Sequence, residues 1–343
     1  MKKGILGVLL FAFIYLLWEP NFRLDQSVKI NGISLVSPRK AVDSVLFDDV
    51  SRTGANYVAI IPYAFTRRNQ TNVLFDLSHQ WWGERKEGVI QLVQYARDQG
   101  MEVMVKPHVW IEGQGWAGDF DLLDELQWKE WEVSYENYIL HYANLADSLQ
   151  VPLFCIGTEF RMAVQKRGPF WKNLIKKVRA IYSGQITYAA NWDNYQLIDF
   201  WSELDYIGID AYFPLIEVAQ PTLSQLLTAW GPEFERLKSL SADYQKPILF
   251  TEFGYQSLTG TTGKHWQLNN KNTEMESQRT AYEAILNKFW DVPWFAGGFL
   301  WKWHLKKDAG GLKDPNFTPQ GKPALEVITK YYKSHTRHSV AIK

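Results

Sequence analysis

Two glutamates in this chain occupy matched contexts. The stretches Lys246-Pro-Ile-Leu-Phe-Thr-Glu-Phe-Gly-Tyr-Gln-Ser257 and Val151-Pro-Leu-Phe-Cys-Ile-Gly-Thr-Glu-Phe160 each open beside a proline, run apolar, and reach a Thr-Glu-Phe triplet. Apolar runs of this length read as strands of a parallel sheet buried on both faces. An unpaired ionised carboxylate inside such a core is costly, so Glu159 and Glu252 belong at the strands' exposed C-terminal ends. Two carboxylates facing one site can cut a glycosidic bond: one protonates the leaving oxygen while the other attacks the anomeric carbon or activates water. A pair about 5 Å apart gives retention of configuration, and a wider pair gives inversion. The plainer alternative is that either glutamate is a salt-bridge partner of Arg39, Arg161 or Lys302.

The elements that must hold these residues alternate along the chain. Strand patterns fall at Ile33 to Val36, Asn56 to Tyr63, Met101 to Pro107, the run ending at Glu159, Ile186 to Ala190, Leu204 to Ile209, the run ending at Glu252, and Trp294 to Leu300. Helix patterns fall at Pro38 to Arg52, Lys86 to Gln99, Leu126 to Leu149, Phe170 to Tyr182, Thr222 to Leu240, Met275 to Trp290 and Pro323 to Tyr332. Gly100 stands where the second helix needs a C-cap. Gly113, Gly115 and Gly118 mark a mobile or tightly turned loop around Trp116. Eight alternations without a composition break predict an α/β fold, a (β/α)8 TIM barrel. The polar and aromatic residues cluster after strands, on the barrel face that carries chemistry.

Composition narrows the partners. The chain has 343 residues, with 37 Lys plus Arg against 37 Asp plus Glu, and no basic stripe of the kind nucleic acid requires. Aromatic residues make up 15% and include 16 Trp, which suits either a Trp-rich core or a cleft that stacks sugar rings. Cys155, the single cysteine, excludes an intramolecular disulfide and reads as an inert core residue. Lys2 and Lys3 precede an uncharged apolar run from Gly4 to Trp18, the pattern of an export signal with no small-residue cleavage site after it. The expected organisation is a signal peptide or uncleaved anchor over 1–20, a linker over 21–31, one catalytic domain over 32–335 and a tail over 336–343. That organisation places the protein outside the cytoplasm, membrane-anchored or secreted, with its only membrane contact through the N-terminal segment.

The segments Gly157-Thr-Glu-Phe-Arg161, Asp205-Tyr-Ile-Gly-Ile-Asp-Ala-Tyr-Phe-Pro214, Thr251-Glu-Phe-Gly-Tyr-Gln-Ser257 and Gly297-Gly-Phe-Leu-Trp-Lys-Trp303 resemble glycoside hydrolase family 113, endo-β-mannanases of the retaining clan A. The resemblance extends from about Gly32 to Tyr332. It implies that Glu159 is the acid/base, Glu252 the nucleophile, a β-linked mannan or glucomannan the substrate, and Trp301 the floor of the catalytic subsite. Much of the clan has Asn before the acid/base to hold the sugar 2-hydroxyl; here that residue is Thr158, and Asn191 is the first candidate to replace the contact. Tyr212 is placed to donate its hydroxyl to Glu252. Trp110, Trp116 and Trp192 are candidate platforms, each also readable as loop packing. Lys106 and His108 are candidates to bind sugar hydroxyls, and Asp210 to hydrogen-bond behind the reacting groups. No second His or Cys stands at ligand spacing from His108, so neither a metal nor any other cofactor is expected.

A β-glucanase, xylanase or exo-acting mannosidase would use the same two carboxylates. A non-catalytic glycan-binding protein would use the tryptophans but has no need of paired glutamates. A barrel enzyme of central metabolism would place a glycine-rich phosphate loop after its last strands, whereas Gly297 and Gly298 lie inside an apolar run. The chain is expected to act as a monomer.

Overall fold

The computed structural model describes residues 29–268 and 272–336. Eight parallel strands close into a barrel: β1 (Ile30–Val36), β2 (Tyr57–Ile60), β4 (Glu102–Val105), β6 (Leu153–Thr158), β7 (Gln185–Asn191), β8 (Ile207–Asp210), β9 (Ile248–Phe253) and β10 (Phe295–His304). Around them run α1 (Leu46–Arg52), α2 (Lys86–Asp98), α3 (Glu125–Ser148), α4 (Arg161–Lys166), α5 (Gly168–Ile181), α6 (Leu223–Ala229), α7 (Gly231–Tyr244), α8 (Met275–Phe289) and α9 (Ala324–Thr336). The architecture is a (β/α)8 barrel. The apolar run from Gly4 to Trp18 and the tail beyond residue 336 lie outside the described residues, among which no helix is long and apolar enough to cross a membrane.

Strand sequence dictates which way each side chain faces. Ile30, Ala59, Met104, Leu153, Cys155, Ala189, Tyr206, Leu249 and Phe299, from seven of the strands and, at Tyr206, from the residue just before β8, form one buried cluster that fills the barrel. Their neighbours Ile248 and Phe250 face the other way, into the larger cluster under the helices. This alternation is the pleat of a strand covered on both sides. Burial raises the Cys155 thiol to about 11, so it has little thiolate character.

The helices dock through apolar stripes. In α2 the buried residues Val89, Leu92, Val93 and Ala96 share one face, and Gly100 follows at φ 72°. In α3 the stripe is aromatic: Trp128, Trp131, Tyr135, Tyr138 and Tyr142 are buried, and Asp124 caps the helix by accepting from the Gln127 N–H. Trp131 lies 4.8 Å from Tyr135 in a stacked pair and 5.4 Å from Phe160, the residue after Glu159. Trp131, Trp171, Trp201, Trp230 and Trp290 are fully buried, so the core takes one large share of the tryptophans.

Several boundaries differ from the sequence pattern, each for a physical reason. The run Asn56 to Tyr63 breaks at Pro62, after which β3 (Tyr63–Arg67) pairs in parallel with β5 (His108–Glu112), the continuation of β4 beyond Pro107. A proline has no N–H to give to a ladder, so both strands bend at once and a two-stranded flap rises over the barrel mouth. The Tyr138 hydroxyl fastens this bend by donating to the carbonyls of Pro62 at 2.8 Å and His108 at 2.9 Å. The helix expected from Pro38 begins at Leu46, because the Pro38 and Arg39 carbonyls accept from the N–H groups of Gly83 and Trp82. The helix expected from Thr222 to Leu240 is two, divided at Trp230, with Pro232 opening the second. Ile30 and Asn31, assigned to the linker, pair with Gly297 and Gly298 and so belong to the barrel.

Candidate active site

Glu252 lies within β9, opposite Asp210 of β8, where a register shift between Ile209 and Asp210 brings the two carboxylates side by side. Lys106, just beyond β4, reaches across beneath them. Its ammonium donates to Glu252 Oε1 at 2.5 Å and to Asp210 Oδ1 at 3.0 Å, and its side chain is 0% exposed. Tyr212 donates its hydroxyl to Glu252 Oε2 at 2.7 Å, and Thr251 donates to Asp210 Oδ1 at 2.7 Å. The His108 ring sits 3.5 Å from Glu252 Oε1 and stacks parallel to Trp301 at 6.1 Å. Burial and the Lys106 charge hold His108 well below the ordinary histidine value, so its ring is neutral at pH 7.

Glu159 follows β6 with a backbone φ of 57°, the left-handed region that a glutamate rarely enters. The turn is held by its N–H donating to the Ala189 carbonyl at 2.8 Å and by the Phe160 N–H donating to the Tyr188 hydroxyl at 2.9 Å. Strain of this kind is tolerated where the surroundings over-determine it. The one donor to the Glu159 carboxylate among the described residues is the Trp116 indole N–H, at 2.5 Å from Oε2.

The charges separate the two glutamates. Burial alone would lower Lys106, but Asp210 and Glu252 outweigh it and raise the ammonium above its ordinary value. Burial and the Asp210 carboxylate push Glu252 up to about 7, against the pull of Lys106 and Tyr212. Burial, Asp210 and Glu252 all raise Glu159, with only the Trp116 bond and the Lys106 charge opposing, and it lies well above the usual carboxylate range. The proton these carboxylates share at neutral pH therefore resides on Glu159, and Glu252 is the ionised partner.

Both glutamates line one cavity of about 690 Å³ with Trp116, Asn191, Trp192, Asp193, Tyr212, His265, Trp266, Trp301 and Phe317. Trp301 enters β10 beside Gly254, where an added Cβ would meet its carbonyl oxygen at 2.4 Å, so only glycine allows this approach. On its other side Trp301 lines a second cavity of about 410 Å³ with Tyr63, Phe65, Trp81, Glu84, Trp110 and Lys302.

The structure gathers most of the residues singled out from sequence, with one correction. Lys106 cannot touch a sugar hydroxyl, because its ammonium is enclosed beneath the carboxylates it pairs with. Trp110 is 52% exposed on the flap and lines the second cavity, away from the two glutamates. Neither glutamate pairs with Arg39, Arg161 or Lys302 among the described residues; Arg39 covers the Trp81 ring at 4.6 Å and Arg161 the Trp116 ring at 4.8 Å. Asn191 donates to Asp193 at 2.9 Å, and Trp192 stacks on Trp266 at 5.5 Å. Trp266 and His265 were hidden in a long polar loop, where a paired His-Trp was the available signal. Lys302 carries no such signal: its half-buried ammonium, 5.5 Å from the Trp301 ring centre, has no ion pair or hydrogen bond among the described residues.

A family model for Glycoside Hydrolase Family 113 matches residues 37–322. Among solved structures, a GH113 β-mannanase from Alicyclobacillus acidocaldarius, determined in complex with ManMIm, superposes with a TM-score of 0.80 at 22% identity, covering 92% of this chain and 99% of that one. A GH113 β-1,4-mannanase superposes with a TM-score of 0.75 at 27% identity, covering 90% of this chain and 99% of that one. A β-glucuronidase from Faecalibacterium prausnitzii shares the fold, at a TM-score of 0.58 and 15% identity over 90% of this chain and 49% of its own. No curated protein matches the chain. With the family matched over residues 37–322, all of the barrel but β1 and α9, and a carboxylate pair at its mouth, the chain belongs to glycoside hydrolase family 113 and is a glycoside hydrolase.

Proposed function

We propose that the enzyme hydrolyses β-1,4-mannosidic bonds within mannan or glucomannan by double displacement, with retention of configuration. The observation that carries this reading is the unequal environment of the two glutamates. Glu252 has a cation and a phenol holding it as a carboxylate, which suits a nucleophile, while Glu159 has no cation in contact among the described residues and keeps its proton, which suits an acid. In the first step Glu159 gives its proton to the glycosidic oxygen as Glu252 bonds to the anomeric carbon and the bond between that carbon and the oxygen breaks, its electron pair leaving with the oxygen as the hydroxyl of the departing sugar. In the second, a water loses a proton to Glu159 and attacks that carbon, and the electron pair of the breaking ester bond returns to Glu252.

We read the direction of the bound chain from the two cavities. Glu252 and His108 lie toward Tyr63, Trp301 and the second cavity, so the glycone extends there; Glu159 lies toward Trp116, Trp192 and Trp266, so the leaving portion rests on that side. Binding room on both sides of the reacting bond favours internal cleavage over removal of single end sugars. Lys302, over the Trp301 ring and without an ion pair or hydrogen bond among the described residues, is the donor we assign to glycone hydroxyls, and Asn191, lining the cavity of the two glutamates, is the candidate for the 2-hydroxyl of the reacting sugar itself. β-1,4-Mannanase activity in similar structures supports mannose over glucose as the repeating unit. Export through the apolar N-terminal run is part of the same proposal, tested by fractionating cells that express the full chain.

Azide separates the roles. In Glu159→Ala, azide should restore turnover of a dinitrophenyl β-mannoside and yield the β-glycosyl azide; in Glu252→Gly it should yield the α-azide. An unchanged rate in Glu252→Ala would overturn the assignment.

A further inference from the structure

Trp116 makes contacts that a sugar platform does not require. Its indole N–H points at Glu159 Oε2, and the Arg161 guanidinium covers its ring. Arg161 is in turn held by Asp119 at 2.5 Å, on the Trp116 loop, and by Asp193 at 3.3 Å, beyond β7. Gly118 packs so closely on the ring that a Cβ there would come within 2.3 Å of it. The indole is thus clamped in one orientation, with its donor on the carboxylate.

We propose that Trp116 is the positioning residue that allows Glu159 to serve as a base, by holding the carboxylate left after its proton has gone to the leaving oxygen. The inference rests on the double-displacement reading. A donor N–H binds an ionised carboxylate about twice as strongly as a neutral one, so the contact favours the form needed in the second step. Burial, Asp210 from β8 and Glu252 from β9 oppose ionisation of Glu159, and Lys106, beyond β4, favours it from a distance. The phenols of Tyr63, Tyr188 and Tyr212 also face it, each raised by burial and neutral at pH 7. Arg161 is committed to Trp116, Asp119 and Asp193. When Glu252 becomes an ester its charge disappears, and the Trp116 bond and the Lys106 charge then act against burial and Asp210.

The test compares Trp116→Phe, which keeps a ring beneath Arg161 and loses the donor, with Trp116→His, which restores a ring N–H. Kinetics are followed from about pH 5 to pH 10 on a dinitrophenyl β-mannoside, where the second step limits the rate, and on a manno-oligosaccharide. In Trp116→Phe the alkaline limb of kcat/KM should move up by about one pH unit, because the acid form is lost later. On the activated substrate kcat at pH 7 should fall about tenfold, with a larger burst of phenolate, and Trp116→His should recover part of both. An unmoved limb with an unchanged burst would leave Trp116 a platform only and overturn the proposal. If Glu159→Ala gives no glycosyl azide, the double-displacement reading itself falls; if it does and the limb stays put, only the role of Trp116 falls.

Discussion

At the scale of single residues, Lys106 sets the two glutamates apart. One buried ammonium is shared between Asp210 and Glu252 and withheld from Glu159, so the proton has only one favourable place to reside. The pH dependence follows with its sign. In the proposed mechanism Glu252 must be ionised to attack, so kcat/KM should rise as the pH climbs through about 7, and Glu159 must be protonated to donate, so the rate should fall again well above the usual carboxylate range. A pH–rate profile that is flat from pH 5 upward would contradict this. Lys106→Met should push the acid limb above that of the parent enzyme, lower kcat/KM at pH 7 on the order of a hundredfold, and cost about 3–5 kcal/mol of stability by leaving two buried carboxylates uncompensated. Denaturant unfolding and the pH profile of the same variant measure the two effects separately.

At the scale of elements, the flap formed by β3 and β5 extends the site beyond the barrel. Pro62 and Pro107 break two neighbouring strands at the same level, and the continuation presents Tyr63, His108 and Trp110 over the mouth. Trp110→Ala should raise KM about fivefold for oligosaccharides long enough to reach the second cavity, and less for shorter ones, by steady-state kinetics on a series of chain lengths. The barrel strands and the two Thr-Glu-Phe ends were legible in the sequence because apolar runs ending in a charge have few other physical solutions. The flap was not, since a strand that resumes after a proline reads as a loop. Nor was the cation held against Glu252, because Lys106 reaches it across the barrel from 146 residues away in sequence, whereas the nearer Tyr212 was expected to bond to it. The shortened helix after Pro38 was equally hidden, its first turn being replaced by bonds to Trp82 and Gly83.

At the scale of the whole molecule, the tryptophans are divided between two tasks. Trp131, Trp171 and Trp230 fill the layer under the helices, while Trp81, Trp110, Trp116, Trp192, Trp266 and Trp301 line the two cavities. Trp131→Ala should destabilise the fold by about 3–5 kcal/mol in denaturant unfolding, and a loss within error of zero would show that the aromatic layer tolerates the cavity. Two cavities meeting at Trp301 also give the cleft a direction and two open arms. A manno-hexaose labelled at its reducing end should therefore be cut at internal bonds, whereas release of free mannose alone would indicate exo action. The central claim is double displacement with Glu252 attacking, and the anomeric configuration of the first product tests it most directly. Proton NMR during the opening minutes of manno-oligosaccharide hydrolysis should show the β-anomer forming first and only later mutarotating; initial accumulation of the α-anomer would contradict the account.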